Sequence, residues 1–123
     1  MKIAKLFYLV SILFTSQLAF SQTQKSIKMN LKELHKESAG VQTNMMFPAT
    51  DGKVISLQIA KGSQLTEHVT KVPALLVCVS GKAEYEDEKG IKVILLSGDF
   101  VNIEPNIKHW VNGIKNSNLL LIK

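Results

Sequence analysis

Cysteine is nearly absent: Cys78 is the only one in 123 residues, so no internal disulfide can form and the apolar core must hold the fold. Cys78 lies in the run Leu75-Leu76-Val77-Cys78-Val79, where a thiol serves as a small apolar side chain. No Lys, Arg or His adjoins it in sequence to lower its pKa. Proline is also scarce, at three residues, and no Pro-rich or low-complexity stretch offers a linker at which a second domain would begin. The lysines form no block and no aromatic pairs interleave with them, which argues against a nucleic-acid surface. No internal repeat is present, and that excludes a solenoid.

What is present begins with a leader. Met1 to Lys5 carries two lysines, Leu6 to Phe14 is apolar except for Ser11, and Ala19-Phe20-Ser21 ends the stretch with small residues where a signal peptidase reads. This pattern predicts a secretory signal over residues 1–21, cleaved before Gln22. A permanent membrane anchor needs about 20 apolar residues, and Ser16, Gln17 and Ser21 interrupt the run too early. The expected location is therefore outside the cytoplasm, periplasmic or extracellular. Without residues 1–21 the chain has 102 residues and a net charge of about +3 instead of +5, enough for one small domain with one core.

Residues 22–40 are expected to form a polar leader and one short amphipathic helix, since Leu31, Leu34 and His35 recur at helical spacing and Gly40 closes the segment. His35, near the helix end, is read as a surface or capping imidazole. From residue 41 to 123 the period changes to two. Val41 to Phe47 reads as a first apolar strand, stopped by Pro48 and by the Asp51-Gly52 turn signal. Strand-like runs follow at 53–60, 65–70, 74–80, 83–87, 91–96, 100–103, 109–114 and 119–122, punctuated by Gly62, Gly81, Gly90, Gly98 and Gly113. Many short strands with glycine turns predict an all-β sandwich or barrel. Glu86-Asp87-Glu88 before Lys89-Gly90 reads as a solvated hairpin tip, because a calcium loop needs oxygen ligands over a longer span.

Two stretches carry the chemistry. Gly98 to Trp110 reads GDFVNIEPNIKHW, in which Pro105 and Asn106 bend the chain just before His109. Lys61 to Gly81 reads KGSQLTEHVTKVPALLVCVSG, with His68 and Thr70 two apart on a strand and so on one face. The second stretch in chain order resembles the cupin motif G-x5-P-x-G-x2-H-x3-N: Gly98 and His109 match, while Glu104, Asn106 and Gly113 replace Pro, Gly and Asn. An Asn at φ > 0 preserves the bend that the family makes with Gly. The earlier stretch resembles the cupin motif G-x5-H-x-H-x3-4-E-x6-G through Gly62, His68 and Gly81, with Thr70 and Ala74 where the family has His and Glu.

The resemblance spans Lys53 to Lys123. It implies an all-β cupin-type jelly-roll β-barrel with the short N-terminal helix appended, commonly as a homodimer. It places His68 and His109 as metal ligands, with Thr70, Ala74 and Cys78 lining the cavity. Two imidazoles and a hydroxyl make a weak site for a divalent ion such as Zn, Mn or Fe, since a firmly held one has three or more protein ligands. Glu67 should face away from His68, leaving Gln58, Gln64, Glu84 and Glu86 as open replacements. The expected partner is a small molecule, anionic or polar, bound between the two imidazoles; a metal-dependent enzyme of dioxygenase or isomerase type is the alternative. Trp110 should point outward if His109 points inward, and the Val41 to Phe47 strand is a candidate to pair with another subunit.

Overall fold

The computed structural model describes residues 28–35 and 40–123; the secretory-signal reading of residues 1–21 lies outside them. Two antiparallel sheets face each other. The first has the order β1 (Met29–Asn30), β7 (Asp99–Ile103), β4 (Ala74–Ser80), β9 (Ser117–Ile122), β2 (Val54–Ile59), and the second has β3 (Gln64–His68), β8 (His109–Gly113), β5 (Ala83–Asp87), β6 (Lys92–Leu95). Eight of these strands fall on the eight runs that the alternation marks from residue 53 onward.

Alternation decides which side chains go inside, because neighbours on a strand face opposite ways. On β4, Ala74, Leu76 and Cys78 point between the sheets and join Ile59, Ala83, Tyr85, Leu95, Val101, Ile103, Val111 and Leu119 in the main core. Leu75 and Val77, from the same strand, point the other way. With Phe100 they form a second cluster on the outer face of the first sheet, covered by Leu34, Met46 and Phe47 and flanked by Leu120 and Ile122. A central strand buried on both faces reads as a continuous apolar run, and β4 is such a strand.

The chain before residue 53 departs from the expected structure in three ways. The described part of the predicted helix is a single 3-10 turn, Leu31–Leu34, ended by an extended, exposed His35; residues 36–39 lie outside the description. The segment turns early because Asn30 is bound on both sides: its Oδ1 accepts from the Lys32 N–H and its Nδ2 donates to Asp99. Met29–Asn30, at the junction of the expected leader and helix, pairs with β7. Residues 41–49 form no strand, since Met46 and Phe47 are used as a cover for the outer cluster while Val41 and Met45 stay exposed.

Both glycines of the second motif stretch are required by geometry. Gly98 has φ +84°, a region costly for residues with a Cβ, and its N–H donates to the Cys78 carbonyl. Gly113 needs close approach instead, because a Cβ there would lie 2.3 Å from the Ala60 carbonyl oxygen.

Candidate functional site

The site is built where β3 meets β8. At the start of β3 the register is regular, Gln64 opposite Asn112 and Leu65 opposite Val111, but a shift between Leu65 and His68 sets His68 opposite His109. Continued without the extra residue, the pairing would have placed Lys108 there, with Glu67 turned inward and His68 outward. The bulge restores the inward face to His68 and Thr70. Glu67 accordingly lies outside, 3.5 Å from the Lys108 ammonium.

The bend before β8 delivers the second imidazole. Asn106 has φ +62°, the one non-glycine at positive φ among the described residues, and its N–H donates to the Thr70 carbonyl at 2.7 Å. One hydrogen bond thus ties the loop carrying His109 to the segment carrying His68. The ring centroids of His68 and His109 are 4.2 Å apart, tilted by 58°.

Both rings are held in the same way. His68 Nδ1 lies 2.8 Å from the Thr66 carbonyl, and His109 Nδ1 lies 2.9 Å from the Ile107 carbonyl. A carbonyl only accepts, so each Nδ1 is assigned a proton, and in the neutral ring the lone pair is then on Nε2. Histidines that ligate metals are prepared in this fashion, with the other nitrogen donating to a carbonyl or carboxylate. Burial pushes His109 below its ordinary pKa; the Ile107 hydrogen bond and the Asp87 charge oppose that, while His68 adds to it. His109 is therefore a neutral acceptor, better matched to a metal ion or a hydrogen-bond donor than to an anion.

Thr70 lies two residues beyond His68. Its residue is 5% exposed, and its Oγ1 is the one buried side-chain polar atom without a partner among the described residues. Leaving a hydroxyl desolvated and unpaired costs about 1–3 kcal/mol, a cost that a bound ligand or water would remove.

Alternation on β5 brings in two more residues that the motifs do not mark. Tyr85 stacks on His109, with ring centroids 5.8 Å apart, and Asp87 lies directly opposite His109 in register. Burial raises the Tyr85 pKa far above that of a free phenol, with the charges of Asp87 and Glu104 and a hydrogen bond to Asp87 adding to it; Tyr85 is a donor here, not a base. The solvated-tip reading fails at Asp87, which is 7% exposed. Its Oδ1 accepts from the Lys89 and Ile91 N–H groups and so closes the hairpin. The signal for both residues was available in Ala83, Tyr85 and Asp87 alternating with two glutamates.

The remaining candidates divide by position. Ala74 is buried opposite Ile103, at the end of β4 near the Asn106 bend. Cys78 is four residues along β4, about 13 Å away at the rise of a strand. Its thiol meets the Ser80 carbonyl at 3.5 Å, and burial, then the Asp99 charge, raises its pKa, with the Ser80 hydrogen bond opposing them. Cys78 is thus in the core, four residues along β4 from Ala74. None of the four proposed replacements reaches inward. Glu84 and Glu86 lie on the outer face with Asn112, which donates to both, and Glu86 also accepts from Trp110 Nε1 at 2.7 Å. Gln64 donates to Asn112 on the same face, and Gln58 is exposed on β2. Trp110 takes the outward position, opposite in facing to His109.

No protein-family model matches the sequence, and no curated protein matches it. Solved structures do. A cupin superfamily protein from Desulfitobacterium hafniense superposes with a TM-score of 0.52 at 18% identity, over 63% of this chain and 82% of its own. The cupin domain of Drosophila melanogaster CENP-C gives 0.54 at 20% identity, over 64% and 63%. A predicted oxalate decarboxylase from Thermotoga maritima gives 0.51 at 15%, over 56% and 62%.

The chain has the cupin fold. At these identities the likeness extends to the fold alone, and the chemistry of this barrel has to be argued from its own residues. Among the described residues no three His, Cys, Asp or Glu side chains are grouped as a metal would require. The cupin barrel here offers two imidazoles in the metal-binding tautomer and a hydroxyl. That set fits a divalent ion completed by water or by a bound molecule, and falls short of the three protein ligands of a tightly held catalytic ion.

Proposed function

We propose that this protein is an exported cupin that binds a small polar molecule inside the barrel, against His68, His109 and Thr70. One observation carries the reading: two paired imidazoles have both Nδ1 atoms committed to backbone carbonyls, and two residues beyond His68 is a buried hydroxyl with no partner among the described residues. Each Nε2 accepts a hydrogen bond from the ligand, or would serve as a ligand to a divalent ion. Thr70 Oγ1 supplies a donor or an acceptor, and Tyr85 backs the His109 ring. A Zn, Mn or Fe ion bound to the two Nε2 atoms would act as a Lewis acid toward an oxygen of the bound molecule. The leader over residues 1–21 supports export, and the mismatch with an anion follows from the neutral state of His109.

The test is the metal and ligand content of residues 22–123, purified without chelators from an exported source, beside a His68→Gln, His109→Gln double variant. Glutamine is chosen because His109 is 1% exposed and alanine there would open a cavity. The expected result is a small molecule, with or without about one equivalent of metal, seen by native mass spectrometry in the parent and absent from a double variant of similar melting temperature. A double variant that retains the ligand refutes the site. One that unfolds assigns both histidines to structure instead.

A further inference from the structure

The lysines form no block along the chain, yet the fold gathers three of them. Four connecting loops meet at one end of the barrel: residues 60–63 between β2 and β3, 81–82 between β4 and β5, 96–98 between β6 and β7, and 114–116 between β8 and β9. The last loop joins the others. Its Asn116 Oδ1 accepts from the Lys61 N–H at 2.9 Å, and its Ile114 and Lys115 N–H groups both donate to the Lys82 carbonyl, at 2.9 and 3.0 Å. Ala83 lies opposite both Leu95 and Gly113, which brings the 96–98 turn alongside. Lys61, Lys82 and Lys115, distant in sequence, thus stand on adjoining turns.

No acid answers them. These four loops contain no Asp or Glu, and among the described residues none of the three ammonium groups forms an ion pair. Asp99, next to the 96–98 turn, is 8% exposed and already engaged by Lys28, Asn30 and the Leu96 N–H. The Leu31 N–H donates to the Gly98 carbonyl and so brings Lys32 and Glu33 near this turn, where their charges offset each other. The end that carries His68 and His109 is built differently. Its loops include Asp87, Glu88 and Glu104, with Lys89 paired to Glu104 and Lys108 to Glu67.

Exposed aliphatic side chains stand among the three lysines. Val79, Leu96 and Ile114 are 53%, 48% and 37% exposed; Ile114 adjoins Lys115, and the hydrogen bond from the Gly98 N–H to the Cys78 carbonyl holds Val79 close to the turn that Leu96 opens. The loops contain no aromatic residue, so they offer no stacking platform for nucleic acid. Lysines around exposed aliphatic groups match a membrane surface instead, where ammonium groups meet anionic headgroups and apolar side chains enter the acyl boundary. We propose that this end of the barrel docks on an anionic lipid bilayer, with Lys61, Lys82 and Lys115 against the headgroups and Val79, Leu96 and Ile114 dipping below them. The contact is peripheral and reversible. It lies at the Gly113 end of β8, about 13 Å along the strand from His109, and stands or falls independently of the histidine site.

The experiment sediments residues 22–123 with vesicles of phosphatidylglycerol and phosphatidylcholine in equal parts, and with phosphatidylcholine alone. The protein should partition onto the first, stay off the second, and be released by concentrated salt. Lys61→Gln, Lys82→Gln and Lys115→Gln together should lower the partition coefficient about a hundredfold, at roughly fivefold for each lysine. Lys71→Gln, Lys89→Gln and Lys108→Gln remove the same charge from the opposite end and should leave it within about twofold. Urea midpoints check that each variant is folded, and the single substitutions decide where a triple variant is not. Failure of the parent to bind anionic vesicles overturns the proposal. So does an equal loss from the two triple variants, which would make the attraction a matter of net charge. Binding to a DNA duplex as tight as to the vesicles, and indifferent to Leu96→Ser with Ile114→Ser, would likewise overturn it and reassign the surface to a soluble polyanion.

Discussion

Thr70→Val tests whether the buried hydroxyl is reserved for a ligand. Valine has nearly the shape of threonine, so the exchange removes one polar atom and leaves the packing in place. In most buried sites it destabilises, because the hydroxyl has a partner that is then abandoned. Here Oγ1 has no partner among the described residues, and its residue is 5% exposed. Removing an unpaired buried hydroxyl should therefore return part of its desolvation cost, about 1–2 kcal/mol of the 1–3 such a group carries. For a domain of this size that corresponds to a rise of roughly 4–16 °C in melting temperature. The assay is thermal and urea unfolding of ligand-free, metal-free protein, with Thr70→Ser as the companion that keeps the hydroxyl. Binding of the molecule found in the parent should weaken in the valine variant even as the fold strengthens. A valine variant less stable than the parent by about 1 kcal/mol or more would show that the hydroxyl is satisfied within the fold, and the argument for a ligand there would fail.

Two further outcomes follow from the geometry. His109 has its folded pKa lowered, so the native state takes up that proton less readily than the unfolded chain; its stabilising contribution is complete above the unfolded value near 6.5 and is lost as pH falls through it toward the lower folded value. Unfolding free energies between about pH 7.5 and 5 should decline in the parent and decline less in His109→Gln; equal slopes would refute the assignment. Gly98→Val should cost about 1–3 kcal/mol, because φ is +84° and a Cβ would lie 3.1 Å from Asn30 Nδ2; an unchanged urea midpoint would remove that role.

The strands were legible because strand structure has a local signature. Period-two alternation and glycine turns lie within a few residues of one another, and the burial of β5 and β8 alternates accordingly. The Asn106 bend was legible for the same reason, since only a few residue types tolerate φ > 0. The N-terminal portion was misread because its apolar residues obey no local period. Leu34, Met46 and Phe47 are placed by an apolar sheet face that is formed from residues 75 to 122. Asp87 was misread because a carboxylate in an acidic tripeptide resembles a solvated one until the Lys89 and Ile91 amides close on it.

By itself the sequence determined that the fold is all-β, where the strands from residue 53 onward lie, and that two histidines stand at corresponding points of two barrel motifs. These are properties of neighbours along the chain. Only the tertiary structure decided that His68 faces His109, because one extra residue in β3 shifts the pairing and no alternation pattern announces it. It likewise decided that Thr70 Oγ1 is left without a partner, that Tyr85 and Asp87 flank the second imidazole, and that Lys61, Lys82 and Lys115 stand on adjoining turns. Pairing register, orphaned polar atoms and gathered charges are relations between residues distant in the chain, and they exist only once the two sheets have closed.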